Sequence, residues 1–120
     1  MIGVPASVRI LLWSEPVDGR KGFDGLAMLV RSVGEDPFSG HLYVFLCRRR
    51  HTVKLLTWQR GGLLLTSKRL DRGRFQPPTA APGTRVVLDG VDLSLLLDGT
   101  EVSKVRRAPA WQPPSRTPTA

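Results

Sequence analysis

"GHLYVFLCRRRHTVKLLTWQRGGLLLTSKRL", residues 40–70, holds three apolar runs divided by two short polar breaks. "HLYVFLC" and "TVKLLTW" are rich in β-branched and aromatic residues, and the few residues between them predict an antiparallel hairpin with Arg48, Arg49 and Arg50 at its tip. "QRGG", residues 59–62, is a second turn signal, so "LLLTSKRL" returns as a third strand. Strands joined by short turns pair with their sequence neighbours, which predicts a meander.

Upstream, "VRILLW" (residues 8–13) predicts another strand, ended by Pro16 close behind it, because proline has no amide to donate. Phe23, Leu26, Ala27, Val30 and Val33 then recur at spacings of three and four, which predicts one face of an α-helix. Asp18 is the expected N-cap, and Gly34 followed by Pro37 the stop. Gly22 and Gly25 each cost up to about 1 kcal/mol relative to alanine inside a helix, which moves the expected start toward Gly22.

Downstream, residues 70–73 predict a bend, and the prolines of "QPPTAAPG" (residues 76–83) predict a surface loop. "TRVVL" predicts a short strand. "DGVDLSLLLDG" predicts a short helix capped by Asp89 or Asp92 and ended by Gly99, with Val91, Leu95 and Leu96 on its packed face. The expected fold class is α+β: an antiparallel β-meander with one main helix packed on it and a short C-terminal helix. Residues 1–104 are read as one domain, and residues 105–120, rich in Pro, Ser and Thr, as a disordered tail.

Composition narrows the function. The chain of 120 residues has a formal net charge of +8. Residues 48–74 carry nine basic side chains against the single Asp71, so the net charge belongs to that window and the remainder is neutral. Solvated surfaces ordinarily mix both signs, whereas a one-signed cluster favours a polyanion such as a nucleic-acid backbone. The candidate DNA-binding residues are Arg48, Arg49, Arg50, Lys54, Arg60, Lys68, Arg69, Arg72 and Arg74, with Arg20 and Lys21 from "DGRKGFDG". That last stretch has the glycine spacing of neither a phosphate-binding P-loop nor a dinucleotide fingerprint, and its aspartates read as caps and local ion-pair partners.

No catalytic residue is assigned. The carboxylates Asp18, Asp24, Asp36 and Asp71 lack the spacing of a metal-dependent phosphoryl-transfer site, and His41, His51 and Cys47 lack ligand spacing, so no metal and no cofactor is expected. Cys47, the sole cysteine, excludes an internal disulfide; its neighbouring arginines would favour a thiolate, but a buried inert thiol at a strand end is the commoner case. Trp13, Trp58 and Phe75 could stack on bases, although one aromatic per strand is more often core. With no export signal read at the N-terminus and no apolar run near the roughly 20 residues of a membrane helix, a cytoplasmic protein is expected.

Five blocks in order, "RKGFDGLAMLV", "DPFSGHLYVF", "RRRHTVKLLTW", "GGLLL" and "KRLDRGRF", carry a resemblance. Over about residues 4–98 the chain resembles the TnpB-type accessory proteins of the IS sixty-six family of bacterial insertion sequences. The matching positions are Arg20, Lys21, Gly22, Phe23, Asp24, Gly25, Pro37, Phe38, Gly40, Lys54, Trp58, Gly62, Lys68, Arg69, Leu70, Gly73 and Phe75. Gln59 stands where an aspartate usually follows the tryptophan, and Ser67 where an aromatic usually precedes Lys68. The resemblance implies a noncatalytic accessory role in transposition beside a separate, larger transposase. Together with the basic window it leads to an expectation of DNA contact at the element ends. The alternative is a protein-interaction subunit of the transposase complex with no direct DNA contact.

Overall fold

The computed structural model describes residues 7–99. In chain order it contains β1 (Ile10–Trp13), α1 (Phe23–Ser32), β2 (Leu42–Leu46), β3 (Thr52–Gln59), β4 (Gly62–Arg69), β5 (Arg85–Leu88) and α2 (Gly90–Leu97). The five strands form one sheet in the order β4-β3-β2-β1-β5. The expected meander is present as β2, β3 and β4, each antiparallel to the next. The sheet as a whole is mixed, because β1 runs parallel to β2 and antiparallel to β5. α1 is the reason: a helical crossover carries the chain back to the end of the sheet where β1 began, so the next strand lies parallel. The expected tail, residues 105–120, lies outside the described residues.

The alternation of side chains along each strand divides the core between two faces. On one face Leu11, Trp13, Tyr43, Phe45 and Leu56 pack against Leu26, Ala27 and Val30 of α1. On the other, Ile10, Leu12, Val44, Val53 and Leu55 pack against Leu93 and Leu96 of α2 and against Phe75. β1 and β2 are buried along their whole lengths, as strands covered on both faces must be.

α1 begins at Gly22, which caps it without a side-chain hydrogen bond. The expected cap, Asp18, lies too far upstream and instead accepts hydrogen bonds from the backbone and guanidinium of Arg20. Its C-terminus follows the expected stop. The Gly34 N–H donates to Arg31 O, the Glu35 N–H donates to Val30 O, and Gly34 takes φ 83°, the left-handed geometry of a Schellman motif.

α2 uses both expected caps at once. The Asp92 N–H donates to Asp89 Oδ1 at 2.7 Å, and the Asp89 N–H donates to Asp92 Oδ2 at 3.1 Å. This reciprocal box turns Asp92, Leu93 and Leu96 inward. The expected face is corrected accordingly: Val91 is 66% exposed and Leu95 half-buried, while Leu96 is buried as expected.

The turn between β3 and β4 has two residues, Arg60 at φ 48° and Gly61 at φ 83°, so both central positions are left-handed, as a type I′ hairpin turn requires. Glycine adopts this conformation freely, whereas arginine is penalised through its Cβ. Replacing Arg60 by Asn, which tolerates the left-handed region, is expected to raise stability by about 0.5–1 kcal/mol in chemical denaturation. Among the described residues no helix is long and apolar enough to cross a membrane.

Candidate nucleic-acid interface

The sheet register sends particular strand ends the same way. Trp13 at the end of β1 lies opposite Arg85 at the start of β5. Leu46 at the end of β2 lies opposite Val53, and Thr52 at the start of β3 lies opposite Arg69 at the end of β4. One end of the sheet therefore carries the Arg48–Arg50 tip, Arg69 and Arg85 together.

Hydrogen bonds hold this end in shape. The Cys47 N–H donates to Thr52 O at 2.9 Å and the Arg50 N–H to Cys47 O at 2.8 Å, closing the loop with Arg48 and Arg49 exposed at its centre. Arg50 takes φ 61°, a conformation that a non-glycine residue holds only when its surroundings enforce it. Here the enforcing contacts come from the chain beyond β4: the Leu70 N–H donates to His51 O and the Phe75 N–H to Arg50 O, both at 2.8 Å. The segment bearing Arg72 and Arg74 is thereby fastened across the tip.

Asp18, Gly19, Cys47, Arg48, Arg49, His51, Thr52 and Arg69 line an open cleft of about 470 Å³. Beside it runs a second groove whose walls include Lys21, Arg48, Thr84 and Arg85. Arg48 belongs to both. Arg48, Arg49, Arg50, Arg69, Arg72, Arg74 and Arg85 are exposed, and none lies within salt-bridge distance of a carboxylate among the described residues.

The remaining candidates are placed differently. Arg60 is at the opposite end of the β3–β4 hairpin from the tip, since successive turns of a meander face opposite ways. The Arg20 guanidinium is paired with Asp18 at 2.8 Å. That hydrogen-bonded pairing, reinforced by the Arg20 N–H, holds the Asp18 carboxyl well below the usual carboxylate range despite an opposing push from burial. Lys68 donates to Leu97 O at 2.7 Å, supplying the carboxyl end of α2 with a cation that the last turn of that helix lacks.

Lys54 is half-buried on β3, and its ammonium donates to Gly19 O and Lys21 O, each at 2.7 Å. It fastens the β1–α1 loop to the sheet. Lys54→Met keeps the aliphatic stem and removes both hydrogen bonds; a loss of about 1–3 kcal/mol in denaturant-measured stability is expected.

Arg85 is the residue that charge counting along the chain misses. It lies in a neutral stretch, and only the pairing of β5 with β1 brings it beside the tip. Cys47 is buried, and burial pushes its thiol above the ordinary value; Lys54 pulls it down and Asp18 pushes it up. That environment disfavours a reactive thiolate. Trp13 and Phe75 are core residues, whereas Trp58 is half-buried against the exposed Phe38, with ring centroids 4.7 Å apart. Among the described residues no three His, Cys, Asp or Glu side chains group as metal ligands would.

Comparison with known proteins supplies the relatives. The family model TnpB_IS66, described as IS66 Orf2 like protein, matches residues 8–107. The chain is 33% identical over 114 residues to the "Uncharacterized protein y4jC" of Sinorhizobium fredii, covering 94% of this chain and 97% of that one. It is 35% identical over 113 residues to "Uncharacterized protein y4hO" of the same organism, covering 92% of this chain and 89% of that one. No solved structure matches significantly.

Proposed function

Because the chain belongs to the IS66 (IS sixty-six) Orf2-like family, whose role is that of an accessory in transposition, we propose that it serves transposition by gripping the DNA backbone through the basic end of its sheet. The gathering of Arg48, Arg49, Arg50, Arg69, Arg72, Arg74 and Arg85 at one end, none of them in a salt bridge among the described residues, carries this reading. Arginine suits the task, since its planar guanidinium meets phosphate oxygens in pairs and remains charged at any working pH.

The grip reads phosphates and not bases, because the tip is a short turn with no helix or ribbon of the length that enters a major groove. Its partner in that work is the element's larger transposase, which carries the chemistry. The protein itself contributes positioning and no catalytic group.

Titration of a labelled duplex at several salt concentrations tests the proposal. Contact with about five phosphates gives a plot of log K against log salt with a slope near −4 to −5. An affinity that is indifferent to salt would remove the phosphate grip.

A further inference from the structure

The sheet has one short edge strand, β5, and one long one, β4, and among the described residues no strand pairs with the outer side of β4. Edge strands are ordinarily protected by a proline, a bulge or a charge in their middle. β4 has none of these. Its register with β3 is unbroken from Gln59↔Gly62 to Thr52↔Arg69, and Leu63, Leu64, Leu65, Thr66 and Ser67 are uncharged.

The Leu70 N–H donation to His51 O sets which amides face outward. In an antiparallel ladder hydrogen-bonded pairs alternate, so Gly62, Leu64, Thr66 and Lys68 direct their N–H groups to β3. Leu63, Leu65 and Ser67 direct theirs to the open side. Beside this edge, on the α1 face, lies an apolar strip. Trp58 pairs with Leu63 and Leu56 with Leu65 in the register. Trp58, Leu63 and Leu65 stay half-buried, and Phe38 continues the strip at 46% exposure.

Charge selects the occupant. Arg60 stands at one end of β4 and Arg69 at the other, where Lys68 adds its charge although its ammonium is engaged with Leu97 O. A second copy of β4 would set cation against cation at both ends if antiparallel, and at each matching end if parallel; like charges opposite one another destabilise a strand pair. A segment with carboxylates at its ends and apolar residues at alternate positions meets the opposite sign at both ends and the apolar strip between them.

We propose that the open edge of β4 takes up, by strand addition, an extended acidic-ended segment of a partner protein, its alternate apolar side chains lying on Trp58, Leu63 and Leu65. Main-chain hydrogen bonds supply the attachment, and the strip and flanking cations supply selectivity. The edge runs along the side of the sheet and shares only Arg69 with the basic end, so the inference does not rest on the DNA reading.

The test uses the full chain, labelled with nitrogen-15, and a synthetic peptide of alternating valine and threonine with two aspartates at each end. A second peptide carries lysines in place of the aspartates. The acidic peptide is expected to shift the amides of Leu63, Leu65 and Ser67 and slow their exchange, and the lysine peptide to leave them unchanged. Ser67→Pro removes an outward amide while sparing the ladder to β3, and should weaken the acidic peptide about tenfold or more. Leu63→Lys, which charges the strip on a half-exposed side chain, should do the same.

Absence of any response at millimolar acidic peptide, or equal responses to both peptides, overturns the proposal. So does sedimentation showing a dimer that protects these amides, and so does their protection in dilute protein before any peptide is added.

Discussion

Replacing Arg48, Arg49 and Arg50 together by serine is expected to weaken duplex DNA binding on the order of 50–100-fold near 0.1 M salt, and to flatten the log-log salt slope by about 2–3. The three side chains are exposed and carry no packing of the core, so the folded state should survive. The control is Arg60→Asn. Arg60 belongs to the same basic stretch of sequence but to the far end of the hairpin, so its loss should change affinity by no more than about twofold. A loss of about fourfold for Arg60→Asn, one third of the triple variant's loss on a logarithmic scale, would show that only total charge matters and that the tip is not the point of contact. Arg85→Ser provides the complementary measurement, with a loss of several-fold expected from a residue outside the basic stretch but beside the tip.

Phe75→Ala should cost about 3–5 kcal/mol in denaturant unfolding, the range for deleting a large aromatic side chain from a packed interior. Phe75 is 0% exposed and sits in the cluster shared with Val53, Leu55 and Leu93. It also anchors the segment whose N–H holds Arg50 O, so the cavity left by the missing ring loosens the contact that keeps Arg50 left-handed. A protein that remains folded should then show faster amide exchange at Arg50 and Phe75 and a weaker grip on DNA. Phe75→Leu refills part of the volume and should recover more than half of the stability. A loss of DNA binding with stability unchanged would instead make Phe75 a base-stacking residue, contrary to its burial.

Much of the fold is written in local pattern. The hairpin at residues 48–51, the second turn at Gln59 to Gly62, the glycine stop of α1 and the capping pair of α2 depend on residues adjacent in sequence, and each lies where turn chemistry and periodicity put it. Two local expectations went astray, for identifiable reasons. Asp18 is an acceptor near a helix start, but Arg20 is closer to it than the first helical amides, and α1 is left with a glycine cap. In α2 the apolar residues are so dense that several faces qualify, and the inward turn of Asp92 decides among them.

The candidate site divides along the same line. The arginine triplet declares itself in sequence because its members are consecutive and bounded by strand-forming runs. The separation of Arg60 from that triplet follows from a meander's geometry, and it becomes visible only when charge is assigned to turns instead of to a window. Lys54 and Lys68 read as free cations until the carbonyls of Gly19, Lys21 and Leu97 are found in front of them.

Sequence alone determined that this chain makes a basic, three-stranded meander with a helix before it and a short capped helix after it, because alternation, turn residues and caps act over a few neighbouring residues. Tertiary structure alone decided that β1 enters parallel to β2, that Arg85 joins the tip and Arg60 leaves it, and that β4 is an edge strand among the described residues. Those outcomes depend on which strands lie next to one another, and pairing between segments tens of residues apart is set by the burial of both sheet faces together and not by any one stretch of chain.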